Sequence, residues 1–320
     1  MPELPEVEIT ARRLDEALRG AEITSALAPG VKAMRTFDPP LSALEGQHIE
    51  RVGRRGKHFV LEIDGPAHPL VLLVHLMSAG RLQLYDRRAG LRDRTSRLLL
   101  RVLLDEGEGE GRSRDDTAAG GASRVGRSSG GEMAPAGDGL EYELRLREFG
   151  SKQAAWAKLL RGEQLEQDES IATLGPEAWP SPPPLSGLLD APRPLHTVLR
   201  DQHVLAGIGR SWVDEILWEA RLSPFKRAGD LGEEETKLLE QAIVGTLGGA
   251  IDYYERTVRL PIPDKLPMPL RVHRHEGEPC PRCATTLLAV HFEDYTIAYC
   301  PSCQTGGRAL KDRRLSRLLK

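Results

Sequence analysis

The chain begins MPELPEVEITARRLDEAL (residues 1–18), and the fold follows from how this stretch is read. Val7, Ala11, Leu14 and Leu18 recur at helical spacing. Pro5 suits a first helical turn, where its missing N–H would have no partner anyway. Glu6 and Glu8 near that start favour the helix dipole. The pattern predicts a helix over 5–18, but it leaves Pro2, directly behind Met1, without a purpose. If Met1 is removed, Pro2 becomes a secondary amine at the chain end, a working group in its own right.

Working outward, 320 residues with a hydrophobic fraction of 40% predict two or three modules with ordinary cores. No run of about 18 apolar residues exists, so no bilayer span is expected. Charged Glu3, Glu6, Glu8, Arg12 and Arg13 fall where a signal peptide would be apolar, so the expected location is the cytoplasm. The net charge of −3 does not point to nucleic acid, although a whole-chain sum hides local patches. One such patch is the end, GGRALKDRRLSRLLK (306–320), which by itself reads as a solvated basic tail.

From Glu22 to about Leu104 the pattern shifts to short apolar or alternating runs: HFVLEI, LVLLVHL, GRLQLY and RLLLRVLL. These read as strands. Residues 105–139 are rich in Gly, Ser and charge and cannot bury a core, so they read as a disordered insertion in a β-hairpin. LEYELRLREF resumes strand character straight after them. The proline-rich GPEAWPSPPPLSG (175–187) marks a boundary. Helical patterns follow in LHTVLRDQ, RSWVDEILWEARL and EEETKLLEQAIVGTLGGAIDYYER.

CPRC (280–283) and CPSC (300–303) place Cys280, Cys283, Cys300 and Cys303 in a C-x2-C-x16-C-x2-C pattern. Two such pairs around a predicted hairpin make a zinc ribbon, holding one Zn2+. Four thiolates close the site, so the metal is structural. Between the first two helices of the C-terminal half lies HVLAGIG (203–209). Its Gly207 and Gly209 permit positive φ and close approach of another backbone, and the N–H groups at the following helix start suit a phosphate.

MPELPEVE, RRGKHFVLEI, HLMSAGRL, REFG, DQHVLAGIG and CPRC…CPSCQ occur here in the order seen in the formamidopyrimidine-DNA glycosylase / endonuclease VIII family. The chain resembles that family over nearly its whole length, apart from the insertion and the extreme C-terminus. The resemblance implies an α+β multidomain fold: an N-terminal β-sandwich with a catalytic N-terminal helix (1–160), a helix–two-turn–helix domain (188–265), a zinc ribbon (266–310) and a basic tail (311–320). It implies a monomer that grips damaged double-stranded DNA in the cleft between its halves, associated with the nucleoid when bound, with no nucleotide cofactor and no membrane contact. The activity it implies is that of a bifunctional DNA glycosylase and AP lyase of base excision repair. Pro2 is then the nucleophile that forms a Schiff base, Glu3 the acid/base, Glu6 a second carboxylate of the site, and Lys57 a contact to the phosphate or base near the lesion.

The chain departs from the family pattern at several DNA-facing positions. Arg210 stands where the family has a phosphate-binding Asn after the Gly207–Gly209 turn. Tyr295 stands where it has an arginine ahead of the third cysteine. In HLMSAG, Met77 is displaced by one position and Ser78 occupies the slot of the family Met that fills the void of the flipped base. In REFG, Arg147 and Phe149 are kept, and Glu148 replaces the second Arg of the wedge loop, changing its charge. These departures keep an alternative open: a DNA-binding protein on the same scaffold that recognises damaged or abasic sites without excision. They lean towards the endonuclease VIII side of the family, while oxidised purines, oxidised pyrimidines and alkylated bases all remain candidate lesions.

Overall fold

The opening stretch forms helix α1 (Leu4–Leu18) in the computed structural model, which describes residues 2–30, 32–65, 68–90, 93–104, 140–149, 153–189, 192–292 and 295–310. The 105–139 insertion and the 311–320 tail lie outside the described residues. Eight strands follow: β1 (Glu22–Leu27), β2 (Gln47–Arg55), β3 (His58–Ile63), β4 (Leu70–His75), β5 (Gly80–Tyr85), β6 (Ser96–Leu104), β7 (Leu140–Glu148) and β8 (Trp156–Arg161). They pair in the order β5-β7-β6-β1-β2-β3-β4-β8, every pair antiparallel. Only Glu22↔His48 and Ile23↔Gln47 join β1 to β2. That short seam lets the two halves fold over one another as a β-sandwich, with Leu61, Leu72 and Val74 of one half sharing a core with Leu100, Leu144 and Leu146 of the other. β6 and β7 stay in register out to Leu104↔Leu140, so the insertion leaves and re-enters at the tip of a hairpin, as the sequence predicts.

Short α2 (Glu169–Ala172) leads to the connector, then α3 (Leu195–Leu199), α4 (Arg210–Glu219) and α5 (Glu233–Thr257). The ribbon hairpin is β9 (Leu288–His291) with β10 (Thr296–Tyr299), closed by α6 (Pro301–Thr305). α1 belongs to both halves. Its Leu4, Val7, Leu14 and Leu18 lie in one continuous core with Ile49 and Phe59 of the sandwich and with Ile243, Leu247 and Tyr254 of α5. Arg13 of α1 reaches across to the carbonyls of Glu255 (2.8 Å) and Val258 (3.0 Å), placing a cation at the C-terminal end of α5. The first turn of the chain is thereby held rigidly against the helical half.

Candidate functional site

The N–H of Leu4 donates to the carbonyl of Gly207 (3.0 Å), which docks the chain start on the turn between α3 and α4. The Glu3 carboxylate accepts from the N–H groups of Ser211 (2.8 Å) and Trp212 (3.2 Å), in the first turn of α4. That helix begins at Gly209, which has no side chain to cap it. Glu3 supplies the cap from more than two hundred residues away, and its charge meets the positive end of the helix dipole. Gly207 has φ +105°, and a Cβ there would sit 2.4 Å from Leu4 Cδ1; one on Gly209 would sit 2.3 Å from Glu3 Cδ. The close approach foreseen for these glycines is thus made by the protein's own N-terminus. The anion seated on the Ser211 and Trp212 amides is Glu3, which leaves those two amides closed to a phosphate.

Glu6 lies beneath. Its carboxylate accepts from the Glu3 N–H (2.9 Å), the Trp212 indole (3.1 Å) and the Tyr254 hydroxyl (2.8 Å). Burial pushes its carboxyl up to about 7, and the charge of Glu3 adds to that, against the three hydrogen bonds that favour the ionised form. Burial and the Glu6 charge hold the Tyr254 hydroxyl well above its ordinary range, so it stays a donor. Sequence reading missed Trp212 and Tyr254, because in a helical pattern both look like core. Lys57, in the turn between β2 and β3, donates to the carbonyl of Ile208 (2.8 Å). Gln202 donates to the same carbonyl (2.8 Å) and accepts from the Gly207 N–H (3.0 Å), bracing the turn. Burial pushes the Lys57 ammonium down; Glu3 opposes this, and the cations Arg200 and Arg210 add to it. Half-buried Pro2 lines a cavity of about 160 Å³ together with Glu6, Thr10, Ser211 and Leu266.

The other expected DNA-facing residues have surroundings of their own. Met77 takes a left-handed backbone (φ +51°) and packs half-buried against the cluster around Trp156, while Ser78 is exposed. Phe149 is 38% exposed, and the Arg147 guanidinium lies 4.6 Å from its ring, held by the Tyr85 hydroxyl (2.6 Å) and Thr95 Oγ1 (3.0 Å). Glu148 does not present its charge on the loop as expected. It is 1% exposed and accepts from the N–H groups of Ala154 (2.8 Å) and Ala155 (3.1 Å), so its charge is spent on anchoring the loop. Tyr295 stacks nearly parallel on Phe292 (4.5 Å) and His196 (5.8 Å), with the guanidinium of Arg210 5.2 Å from its centroid. Asp214, one turn beyond Arg210 on α4, is fully buried. Its carboxylate meets His273 Nδ1 (2.7 Å) and the Ala298 N–H (3.0 Å).

Those bonds belong to a second joint, between α4 and the ribbon. Glu215 is 1% exposed and accepts from the N–H groups of Arg271 (3.0 Å), Val272 (2.8 Å) and His273 (2.9 Å). The Trp218 indole donates to Cys280 Sγ (3.3 Å). The four cysteine sulfurs lie within 4.8 Å of one another, with adjacent pairs at 3.4, 3.5 and 4.0 Å. Thiolates about 2.3 Å from a shared tetrahedral centre sit about 3.8 Å apart, so the set fits one metal ion.

Comparison with known proteins agrees with this arrangement. The chain matches the family models of the formamidopyrimidine-DNA glycosylase N-terminal domain over residues 1–116 and of the formamidopyrimidine-DNA glycosylase H2TH domain over residues 183–261. An uncharacterized formamidopyrimidine-DNA glycosylase-like protein of Mycobacterium tuberculosis is 43% identical over 149 residues, 46% of this chain and 94% of that protein. The formamidopyrimidine-DNA glycosylase of Bacillus cereus is 28% identical over 317 residues, 95% of this chain and 99% of its own. Among solved structures, Lactococcus lactis Fpg in complex with DNA containing N7-benzyl-Fapy-dG superimposes with a TM-score of 0.73 at 24% identity, covering 95% of this chain and 100% of that one. The same enzyme with abasic-site DNA gives 0.73 at 23%, over 95% and 99%. The structural likeness speaks for the fold.

Proposed function

Because the chain belongs to the formamidopyrimidine-DNA glycosylase / endonuclease VIII family, we propose that it is a base-excision-repair DNA glycosylase with AP-lyase activity, working through a Schiff base on Pro2. The observation that carries this reading is the seating of the chain's first residues on the Gly207–Gly209 turn, with Glu3 and Glu6 fixed beside Pro2. An α-amino group has a pKa of roughly 8, so a useful fraction is unprotonated near neutral pH. Pro2 attacks the sugar C1′ of a flipped, damaged nucleotide. The base leaves, the C1′–O4′ bond opens as O4′ takes a proton, the C1′–N bond to the protein becomes an iminium ion, and that ion acidifies C2′ for elimination of the 3′-phosphate.

Glu3 and Glu6 divide the proton work. Glu3, seated on the N-terminal end of α4, accepts and returns protons at the opening sugar. Glu6, poised near 7, is the neighbouring store from which a proton is exchanged. Lys57 and Arg210 hold phosphates flanking the flipped nucleotide. The four cysteines hold one zinc ion, which fixes the ribbon hairpin; with four thiolates around it the ion has no open position for chemistry.

Borohydride trapping on a duplex carrying an abasic site is the test. A covalent adduct through residue 2, lost in Pro2→Gly and in a protein with an N-terminal extension, is expected. Undiminished trapping by either variant removes Pro2 from the role. Tight binding of abasic DNA with no trapping by the parent replaces the enzyme reading with that of a binding protein on the same scaffold.

A further inference from the structure

Arg200 closes α3. Its guanidinium carbon lies 4.4 Å from the centroid of the Tyr295 ring. Its Nη1 is shut off from water and has no hydrogen-bond partner, and among the described residues no carboxylate pairs with it. Like charges stand nearby. Arg210 lies 5.2 Å from the same ring, and Lys57 is near enough to feel the positive charge of both arginines. A half-buried cation with no acid partner among the described residues, and with other cations nearby, is unfavourable by itself. It is a sensible arrangement where an anion arrives from outside.

The geometry narrows what that anion is. Tyr295 is already stacked on Phe292 and His196, so it is not an open platform for a nucleobase. Its contact with Arg200 instead fixes the plane of the guanidinium, whose donors point along the edges of that plane. Such a fork matches the paired oxygens of a phosphate. We propose that Arg200, oriented by Tyr295, binds a backbone phosphate of DNA beside those met by Lys57 and Arg210. The cation missing from position 295 is thereby supplied from the end of α3, with the tyrosine as its support. This rests on the DNA-binding reading given under the proposed function.

The test is fluorescence anisotropy over a salt series, with an undamaged duplex and one carrying a tetrahydrofuran abasic analogue. Arg200→Gln is expected to weaken both duplexes alike, roughly tenfold at low salt, and to lower the slope of log affinity against log salt by about one. Arg200→Lys restores the slope but not the full affinity. Tyr295→Leu keeps the slope and loses affinity, because the charge remains while its orientation is lost. Arg200→Gln with the parent's slope and affinity overturns the proposal, as does an unchanged slope with a lowered melting temperature, which makes Arg200 a structural joint. A parent that binds neither duplex overturns the DNA reading itself, and this proposal with it.

Discussion

Helix α4 carries two junctions built from the same parts. At each, buried carboxylates accept backbone N–H groups from a distant segment, and an aromatic ring is flanked by two guanidiniums. On the ribbon side Trp218 lies between Arg271 (4.5 Å) and Arg282 (4.0 Å), and Glu219 meets both arginines at 3.2 and 3.3 Å. Glu215, whose carboxyl burial also pushes up, accepts three N–H groups and has the Arg271 guanidinium 3.7 Å away. On the N-terminal side Tyr295 lies beside Arg200 and Arg210, Arg200 lacks an acid among the described residues, and Glu6 is crowded by Glu3. One junction neutralises its charges internally and holds two modules together. The other leaves Arg200 without an acid among the described residues and holds a carboxyl near neutrality, an arrangement suited to chemistry on an anionic polymer.

The sharpest way to break this contrast is to remove one carboxylate from each junction. Glu3→Gln keeps an oxygen for the Ser211 and Trp212 amides, so the fold survives, while proton transfer is lost. Single-turnover base excision should fall by about 10²–10⁴-fold, and cleavage of a preformed abasic site by less. Unchanged excision would take the acid/base role away from Glu3. Glu215→Ala leaves three N–H groups of the 271–273 segment without their acceptor and should cost about 2–4 kcal/mol in urea denaturation. Excision by the protein that stays folded should match the parent. A stability cost at Glu3→Gln as large as that at Glu215→Ala would erase the distinction between the junctions.

A pH series separates them further. The folded-state carboxyl of Glu6 lies near 7, above the ordinary value of 4.5 that it regains on unfolding. Between those values the unfolded chain gives up a proton that the folded one keeps, so Glu6 makes stability fall as pH rises from about 4.5 to about 7, and adds no further slope above that. The full fall is about 3 kcal/mol. Glu6→Gln should remove it, giving a flatter stability profile over pH 5–8. A profile identical to the parent's would mean that Glu6 is not held near neutrality. Tyr254→Phe removes one of the hydrogen bonds that favour the ionised carboxylate, so it should move the midpoint of the fall to higher pH.

How much of this was legible in the sequence follows the range of the interactions. α1, the strands and the ribbon hairpin are set by local periodicity and by the cysteine spacing, and they fall where those patterns put them. Pro2 stands out because a proline directly behind Met1 has no use in starting a helix, whereas Glu3 and Glu6 are marked by the family resemblance of MPELPEVE. What holds them carries no such mark. Tyr254 reaches Glu6 across 248 positions and Trp212 across 206, and both sit at apolar positions of helices, where pattern alone says core. Glu148 misled for the opposite reason: a charge in a surface loop reads as exposed, yet this one folds inward to anchor the loop. Arg200 gave no signal, since a basic residue at the end of a helix suits the dipole without further purpose.

The smallest expected effect tests the arginines themselves. Arg210 starts α4 beside the Gly207–Gly209 turn, and its guanidinium lies near Tyr295. The rival account, a helix pair with Asp214, is weakened because that carboxylate is buried and engaged by His273 and Ala298. Arg210→Ala should therefore weaken undamaged and abasic duplexes together and lower the salt slope by about one, the signature of one lost phosphate contact. Arg282→Gln is the matched control from the ribbon junction. Its donors are spent on the carbonyl of Trp218 (2.8 Å) and on Glu219, so the salt slope should stay at the parent's value while ribbon stability drops by about 1 kcal/mol. Equal slopes for Arg210→Ala and the parent would return Arg210 to a structural role. A lowered slope for Arg282→Gln would show that the ribbon junction also meets DNA, and the two ends of α4 would then differ in chemistry but not in the partner they face.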